Sequence, residues 1–203
     1  MKNRCCIFIV FLFLLSCQSG SKKKTVECVS IKELTKLEQL FLLPQDSIMV
    51  EYDLSNDCIV SFPDLSSYTI KTLNLSNNLL DTFIAAYLPK ELEKLNLSHN
   101  RYRGILNIEE FIPDLQELDI SYNKLRTIEV GKPLYRLILS HNDFGVILLN
   151  HKNLRYLDVS YNSRLTQEVS FEPTQIDTVV REGVAEGKRL YGPISIWSIK
   201  AIE

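Results

Sequence analysis

The side chains that could support metal binding or acid–base chemistry are few and lie far apart. The chain has three histidines, His99, His141 and His151. His99 and His141 occur in the same four-residue motif, Leu-Ser-His-Asn, and Tyr122 occupies the equivalent position between them. If these motifs belong to successive strands about 4.8 Å apart, the two imidazoles are about 10 Å from each other. That distance is too long for one metal ion with short ligand bonds, so we predict no metal site.

Carboxylates and hydroxyls also recur at fixed places, but nothing brings a nucleophile and a base together. Asp53, Asp119 and Asp158 share one equivalent position, and a serine follows each of them two residues later. The equivalent serines indicate a structural role; they are Ser55, Ser76, Ser98, Ser121, Ser140 and Ser160. The sequence has no glycine-rich nucleotide-binding motif. We therefore expect no catalytic residues, no cofactor and no enzymatic activity.

These positions belong to an internal repeat, which is the strongest indication of the fold. The unit is LxxLxLxxNxL, in steps of 21, 22, 23, 19 and 20 residues, and its copies begin at Met49, Ile70, Leu92, Leu115, Leu134 and Leu154. Over residues 49–165 it resembles the leucine-rich-repeat family. The resemblance implies a leucine-rich-repeat solenoid of the α/β class, rich in β structure, with a curved parallel β-sheet on its concave face and short, turn-like convex segments.

The physical properties of the repeat agree with that fold. Side chains alternate across a strand, so repeat positions 4 and 6 are expected to point inward and positions 3, 5 and 7 outward. An amide at position 9 both donates and accepts, which predicts a structural asparagine ladder where each coil turns: Asn78, Asn100, Asn123, Asn142 and Asn162. Asp57 replaces it in the first copy. Because an ionised carboxylate only accepts, we expect Asp57 to be held differently.

The repeats, residues 49–175, need covers at both ends. Ser30 and Glu33 form a capping-box pattern, and apolar residues follow at helical spacing as far as Pro44. This predicts a helix over 30–43 within an N-terminal cap of residues 30–48. Residues 176–203 are expected to form a degenerate repeat, with a seventh strand at 176–180, and a cap at 194–199. On the convex side we expect turns and extended chain, with a helical turn near 108–111.

The first 29 residues are not expected to belong to the fold. Residues 1–16 begin with basic residues and contain eleven consecutive apolar residues, too few to cross a bilayer and typical of a secretory signal. The words Leu14-Leu-Ser-Cys17 resemble a bacterial lipobox, which implies cleavage before Cys17 and its lipidation. Residues 17–29 then form the lipidated cysteine and a flexible tether, and Gln18 in place of aspartate favours the outer membrane. The alternative is an ordinary secretory signal with an incidental cysteine.

Two further cysteines, Cys28 and Cys58, flank the predicted cap helix. Export permits a disulfide between them. Two free buried thiols are the other interpretation, and the sequence does not decide between the two.

The residues on the predicted concave face change in character along the repeats. Tyrosine and arginine are enriched at binding hot spots, and they cluster in the fifth and sixth copies together with one isoleucine: Tyr135, Arg136, Ile138, Arg155 and Tyr156. Tyr122, His141 and Tyr161 follow along the adjoining rim. We predict that these eight residues bind a partner; the alternative is sequence drift on a tolerant surface.

A protein or peptide is the leading candidate for that partner. A glycan is the second, because tyrosine-rich faces also suit sugars, and a purely structural envelope role is the third. The formal net charge of −2 gives no basic field that would favour nucleic acid. The sequence therefore predicts an exported protein, lipid-anchored in a bacterial cell envelope, that binds a partner and catalyses nothing.

The lipobox generates a direct test. A labelled fatty acid should be incorporated into the wild-type protein and not into Cys17→Ser, because the sulfur and the new amino terminus of that residue are the acylated groups. Labelling that persists in Cys17→Ser would contradict the anchor.

Overall fold

The computed structural model describes residues 34–108, 112–130, 134–145, 147–149, 153–165, 169–171 and 176–184. Several predictions fall outside these residues: the signal segment 1–16, Cys17 and the tether 17–29, Cys28, His151 and the cap at 194–199.

In the described residues, one short helix precedes eleven strands. They are α1 (Lys36–Leu40), β1 (Ile48–Asp53), β2 (Thr69–Asn74), β3 (Lys94–Asn96), β4 (Arg103–Ile108), β5 (Glu117–Asp119), β6 (Lys124–Val130), β7 (Arg136–Ile138), β8 (Ile147–Leu149), β9 (Tyr156–Asp158), β10 (Val169–Phe171) and β11 (Thr178–Val180). A single 3-10 turn, Ala85–Tyr87, lies between β2 and β3.

The main sheet is parallel, with strand order β1-β2-β3-β5-β7-β9-β11. Equivalent repeat positions lie side by side in it, as in the register Glu117–Arg136–Tyr156 across β5, β7 and β9. The predicted seventh strand is present as β11, which pairs with β9. Each position of the sequence repeat is therefore a straight row in space, one residue per coil.

The core is formed by the rows at positions 4 and 6. In the second to sixth copies all of these side chains are buried: Leu73, Leu75, Leu95, Leu97, Leu118, Ile120, Leu137, Leu139, Leu157 and Val159. One coil exposes its apolar side to the next, so stacking is what removes these side chains from water.

The opposite, convex side is made of extended chain. β4 pairs with β6, and β8 pairs with β10, each as a small parallel sheet. Ile108 is the last residue of β4, so no helical turn begins there, and residues 109–111 lie outside the described part.

The asparagine row at position 9 pairs the backbone of neighbouring coils. The Nδ2 group of Asn123 donates to the carbonyl oxygens of Leu97 at 3.1 Å, Ile120 at 3.1 Å and Ser121 at 3.0 Å. Its Oδ1 accepts from the amide of Tyr102 at 3.1 Å. Equivalent contacts recur at Asn78, Asn100, Asn142 and Asn162. Each asparagine thus joins its own coil to the preceding one.

The serine row at position 7 is buried, contrary to the outward orientation that alternation predicted. Its exposed fractions lie between 4% and 7%. The hydroxyl of Ser121 donates to Asp119 Oδ1 at 2.7 Å, and that of Ser160 to Asp158 Oδ1 at 2.6 Å. The strands end at position 5, so the two-residue alternation of a strand no longer applies at position 7.

The first coil is closed by the cap helix, which is shorter than predicted. Residue 34 is not helical, and α1 begins after Thr35, whose hydroxyl accepts from the amide of Glu38 in a capping box. Asp57 holds the helix start, because its two carboxylate oxygens accept from the amides of Lys36 at 2.9 Å and Leu37 at 2.8 Å. Both of these partners are donors, so an acceptor-only side chain suits this place.

The last described coil also lacks the asparagine of position 9. Position 9 is Val184, which packs against the core, so the asparagine row ends at Asn162.

Cys58 is disulfide-bonded. The other four cysteines all precede residue 34, so its partner is outside the described residues, and the pairing with Cys28 stays a prediction.

Removing one rung of the asparagine row should be costly. Asn123→Ala leaves three buried carbonyls and one buried amide without this partner, so we expect a loss of about 3 kcal/mol or more in unfolding free energy. Ser121→Ala, two residues away and equally buried, removes one hydroxyl hydrogen bond and should lose about 1 kcal/mol. Urea denaturation measures both, and equal losses would contradict the role given to the asparagine.

Candidate partner-binding surface

The concave face carries an arginine stacked on a tyrosine. Arg136 and Tyr156 are register partners on β7 and β9, and the Arg136 Cζ lies 3.7 Å from the centre of the Tyr156 ring. Ile138 follows two residues after Arg136 on the same face. All three side chains are half-buried. The stack holds the guanidinium in place against a surface that is partly open to solvent.

The other concave cations are paired with carboxylates. Lys71 Nζ lies 2.9 Å from Glu93 Oε1, and Lys94 Nζ lies 2.7 Å from Glu117 Oε1. Arg155 Nη1 lies 3.7 Å from Asp177 Oδ1. These pairs are exposed enough to add little stability, but they neutralise one another across the face.

Position 5 shows why Ile138 is exceptional. In the neighbouring coils, an aspartate or asparagine there accepts from the backbone amide of the serine two residues later, at 2.9–3.0 Å: Asp53, Asn74, Asn96, Asp119 and Asp158. These side chains close local turns. Ile138 cannot accept a hydrogen bond, so its place in the row presents apolar surface instead.

A cavity of about 320 Å³ extends along the concave face from β2 to β7. Arg136 and Ile138 line one end, and Thr72 and Lys94 line the other. The groove therefore extends beyond the coils that carry the predicted binding residues. Residue types do not reveal this extent, because the depth of the groove depends on the curvature of the sheet.

A second feature is a stack of aromatic rings along the rim that follows the strands. The rings of His99 and Tyr122 are 4.0 Å apart, those of Tyr122 and His141 3.9 Å, and those of His141 and Tyr161 4.3 Å, centre to centre. We call these four residues the rim ladder. Tyr122 and Tyr161 are 45% and 43% exposed, so the rings cover one another's faces and present their edges to solvent.

The backbone of position 8 produces this stack. Every described residue at this position has a left-handed conformation, with φ between 54° and 57° at Asn56, Asn77, His99, Tyr122, His141 and Tyr161. Each backbone amide donates to the carbonyl of position 7 in the next coil, as from His99 to Ser121 at 3.0 Å. Left-handed backbone is uncommon for residues other than glycine, and more so for Tyr than for His or Asn. Stacking of about 0.5–1.5 kcal/mol per aromatic pair offsets this cost.

The rim ladder ends against the last coil, where position 8 is Gly183 with φ +68°. A Cβ there would lie 2.8 Å from Tyr161 Cδ1. The neighbouring Glu182 carboxylate, as hydrogen-bond partner of the hydroxyl, is the main cause that raises the pKa of Tyr161.

The eight predicted partner-binding residues lie in three places. Arg136, Ile138 and Tyr156 share the concave face, whereas Tyr122, His141 and Tyr161 belong to the rim ladder. Tyr135 and Arg155 precede strands β7 and β9, at the end of the strands away from the rim. The Tyr135 side chain is 54% exposed. Strand β7, Arg136–Ile138, lies between Tyr135 and His141, so these two residues are at opposite ends of the strand. The predicted set is therefore not one contiguous patch, and it omitted His99, although His99 shares position 8 with Tyr122.

Comparison with known proteins identifies relatives built from the same kind of repeat. Toll-like receptor 4 of Sus scrofa is 31% identical over 141 residues, which cover 63% of this chain and 16% of that protein. The putative leucine-rich repeat protein R380 of Acanthamoeba polyphaga mimivirus is 32% identical over 79 residues, 38% of this chain and 18% of that protein. No family model matches the chain, and no solved structure matches it significantly.

The fold is a leucine-rich-repeat solenoid. The predicted fold class is thereby confirmed. The chain spans less than a fifth of the length of the curated relatives it matches, so the relatives show the kind of repeat and not a shared activity.

Within the described part of the solenoid, no three of the His, Cys, Asp and Glu side chains are close enough to hold a metal ion. No helix in that part is long and apolar enough to span a membrane.

Gly183 and Gly104 make a matched pair for testing the end of the rim ladder. Both have positive φ, +68° and +73°, but a Cβ at Gly104 would meet nothing within 4 Å. Alanine at either place costs about 1–2 kcal/mol in left-handed strain. Gly183→Ala should lose about 1–3 kcal/mol more, because the Tyr161 ring must move. Thermal unfolding, with NMR contacts between the Tyr161 and His141 rings, measures this; equal losses and unchanged ring contacts would refute the packing.

Proposed function

We propose that this solenoid is a binding protein that recognises a protein or peptide partner on its concave face, at strands β7 and β9. The observation that carries the proposal is the Arg136–Tyr156 stack beside Ile138. Arginine and tyrosine side chains that are held in place before binding lose little entropy when a partner arrives. Tyr135 adds an exposed aromatic ring at the edge of the same two strands.

The relatives support an interaction role in general terms. One of them is named a receptor and the other a leucine-rich repeat protein. A solenoid also suits binding physically, because its coils stack into an extended concave surface whose shape is set by the repeat. The partner itself is not implied by either relative.

The rim ladder favours a protein partner over a glycan. Sugars bind aromatic side chains through the ring faces, and in the rim ladder the faces that stack between His99 and Tyr161 are covered by neighbouring rings at 3.9–4.3 Å. Ring edges carrying hydroxyl and imidazole groups suit hydrogen bonds to a polypeptide.

We further propose that the protein is exported and anchored by lipid at Cys17, in the outer membrane of a bacterial envelope. The signal-like segment 1–16 and the lipobox words support this. The disulfide at Cys58 agrees with an oxidising compartment. An acylated Cys17 would hold the solenoid at a membrane while its concave face stays open to a partner.

The binding face is tested by truncating its two tyrosines. Tyr135→Ala with Tyr156→Ala should lower partner affinity several-hundredfold, because hot-spot aromatics contribute at least about 2 kcal/mol each. Both side chains are partly exposed, so thermal stability should change little. Isothermal titration measures the affinity, with a partner first isolated by its binding to the wild-type protein.

The matched control is Tyr87→Ala with Ile105→Ala. These side chains are 37% and 67% exposed and lie in segments outside the concave sheet. A control on the concave face itself, such as Thr72 or Lys94, would be unsuitable because both side chains line the concave cavity. Equal loss of affinity in the two double variants would place the site elsewhere.

A further inference from the structure

Arg136 is the one cation of the described concave rows that has no carboxylate partner. Lys71, Lys94 and Arg155 each form an ion pair, whereas no described carboxylate lies within ion-pair distance of Arg136. Its register neighbour Glu117 is already bound to Lys94 at 2.7 Å. The Arg136 guanidinium is therefore left to face the groove with its charge unmatched.

The stack on Tyr156 orients this charge without consuming its hydrogen bonds. The ring covers one flat face of the guanidinium, 3.7 Å from Cζ, while the five N–H donors lie in the guanidinium plane. Such a fork matches the two oxygens of a carboxylate in a bidentate pair.

Two features beside Arg136 limit the kinds of ligand that it could bind. Ile138, two residues along β7 and therefore about 7 Å away on the same face, offers apolar contact. Asp119 and Asp158 flank Ile138 in the register, and both carboxylates are held by their own serines. Their negative charge opposes any anion on Arg136, and it opposes a multiply charged phosphate or sulfate more strongly than a single carboxylate.

We propose that Arg136 and Ile138 form a subsite for one carboxylate group next to an apolar side chain of the partner. The subsite rests on the proposed function, whose partner it describes further. The carboxylate comes either from the end of a polypeptide with an apolar last residue or from an acidic side chain beside an apolar one.

Small probes distinguish these sources on the full-length chain. The probes are N-acetyl-leucine, N-acetyl-leucinamide, N-acetyl-glutamyl-leucinamide and inorganic phosphate, followed by NMR at the Ile138 methyl and Arg136 Nε–H signals. A terminal carboxylate subsite should bind N-acetyl-leucine about tenfold more tightly than its amide. A side-chain subsite should instead prefer N-acetyl-glutamyl-leucinamide. Equal affinity for all three organic probes, or tighter binding of phosphate, would overturn the proposal.

Variants assign the effect to Arg136. Arg136→Gln should abolish the preference for carboxylate over amide, and Arg136→Lys should retain only part of it, because lysine lacks the bidentate fork. Arg103→Gln, which removes an exposed arginine from β4 outside the main sheet, should change nothing. A preference that survives Arg136→Gln would refute the subsite.

Partner binding separates this proposal from the one on which it rests. If Tyr135→Ala with Tyr156→Ala abolishes partner binding and Arg136→Gln leaves it intact, the binding face stands and the carboxylate subsite fails. If neither variant weakens partner binding, both proposals fail.

Discussion

Five successive coils of this protein each depend on one side-chain amide at the point where the chain leaves the sheet. At that corner, carbonyls of two adjacent coils and an amide of the preceding one converge in a region closed to water, and asparagine is the side chain that serves donors and acceptors together. Asn123 alone has three carbonyl partners and one amide partner. The ends of the described solenoid differ: Asp57 accepts from two helix amides at this position in the first coil, and Val184 occupies it in the last described coil.

The corner also determines the two surfaces available for binding. It forces a left-handed backbone at position 8, one residue before the asparagine, and this aligns successive side chains so that His99, Tyr122, His141 and Tyr161 stack. Because the same corner recurs in successive coils, the strands stay in register, and Arg136 lies directly beside Tyr156. The rim ladder and the concave stack are thus consequences of one backbone requirement repeated in each coil.

The parts of the structure that follow from strand periodicity could be predicted from the sequence. The inward rows at positions 4 and 6, the parallel sheet and the strand at Thr178–Val180 are of this kind. Predictions failed where that periodicity ends. Serines at position 7 are buried, because the chain is already turning. The helix begins after Thr35, because Thr35 and Glu38 form a capping box with the same spacing as Ser30 and Glu33. Asp57 also accepts from the next two amides, those of Lys36 and Leu37.

The functional surface was only partly visible in residue types. Tyrosine and arginine at Tyr135, Arg136 and Tyr156 indicated a concave site. The division of the predicted residues between the concave face and the two ends of the strands appears only in three dimensions. The depth of the groove beside Lys94 and the inclusion of His99 in the rim ladder likewise depend on how coils stack.

Site-specific photocrosslinking tests most directly whether a partner occupies the concave face. A photoreactive amino acid is placed singly at Ile138 on the concave face, at Tyr135 beside the start of the same strand, or at Tyr87 or Ile105 outside the main sheet. The variants are made in cells that produce the full chain. The account predicts that Tyr135 and Ile138 crosslink to the same partner and that the other two positions do not. Equal crosslinking at all four positions, or crosslinking confined to Tyr87 and Ile105, would contradict it.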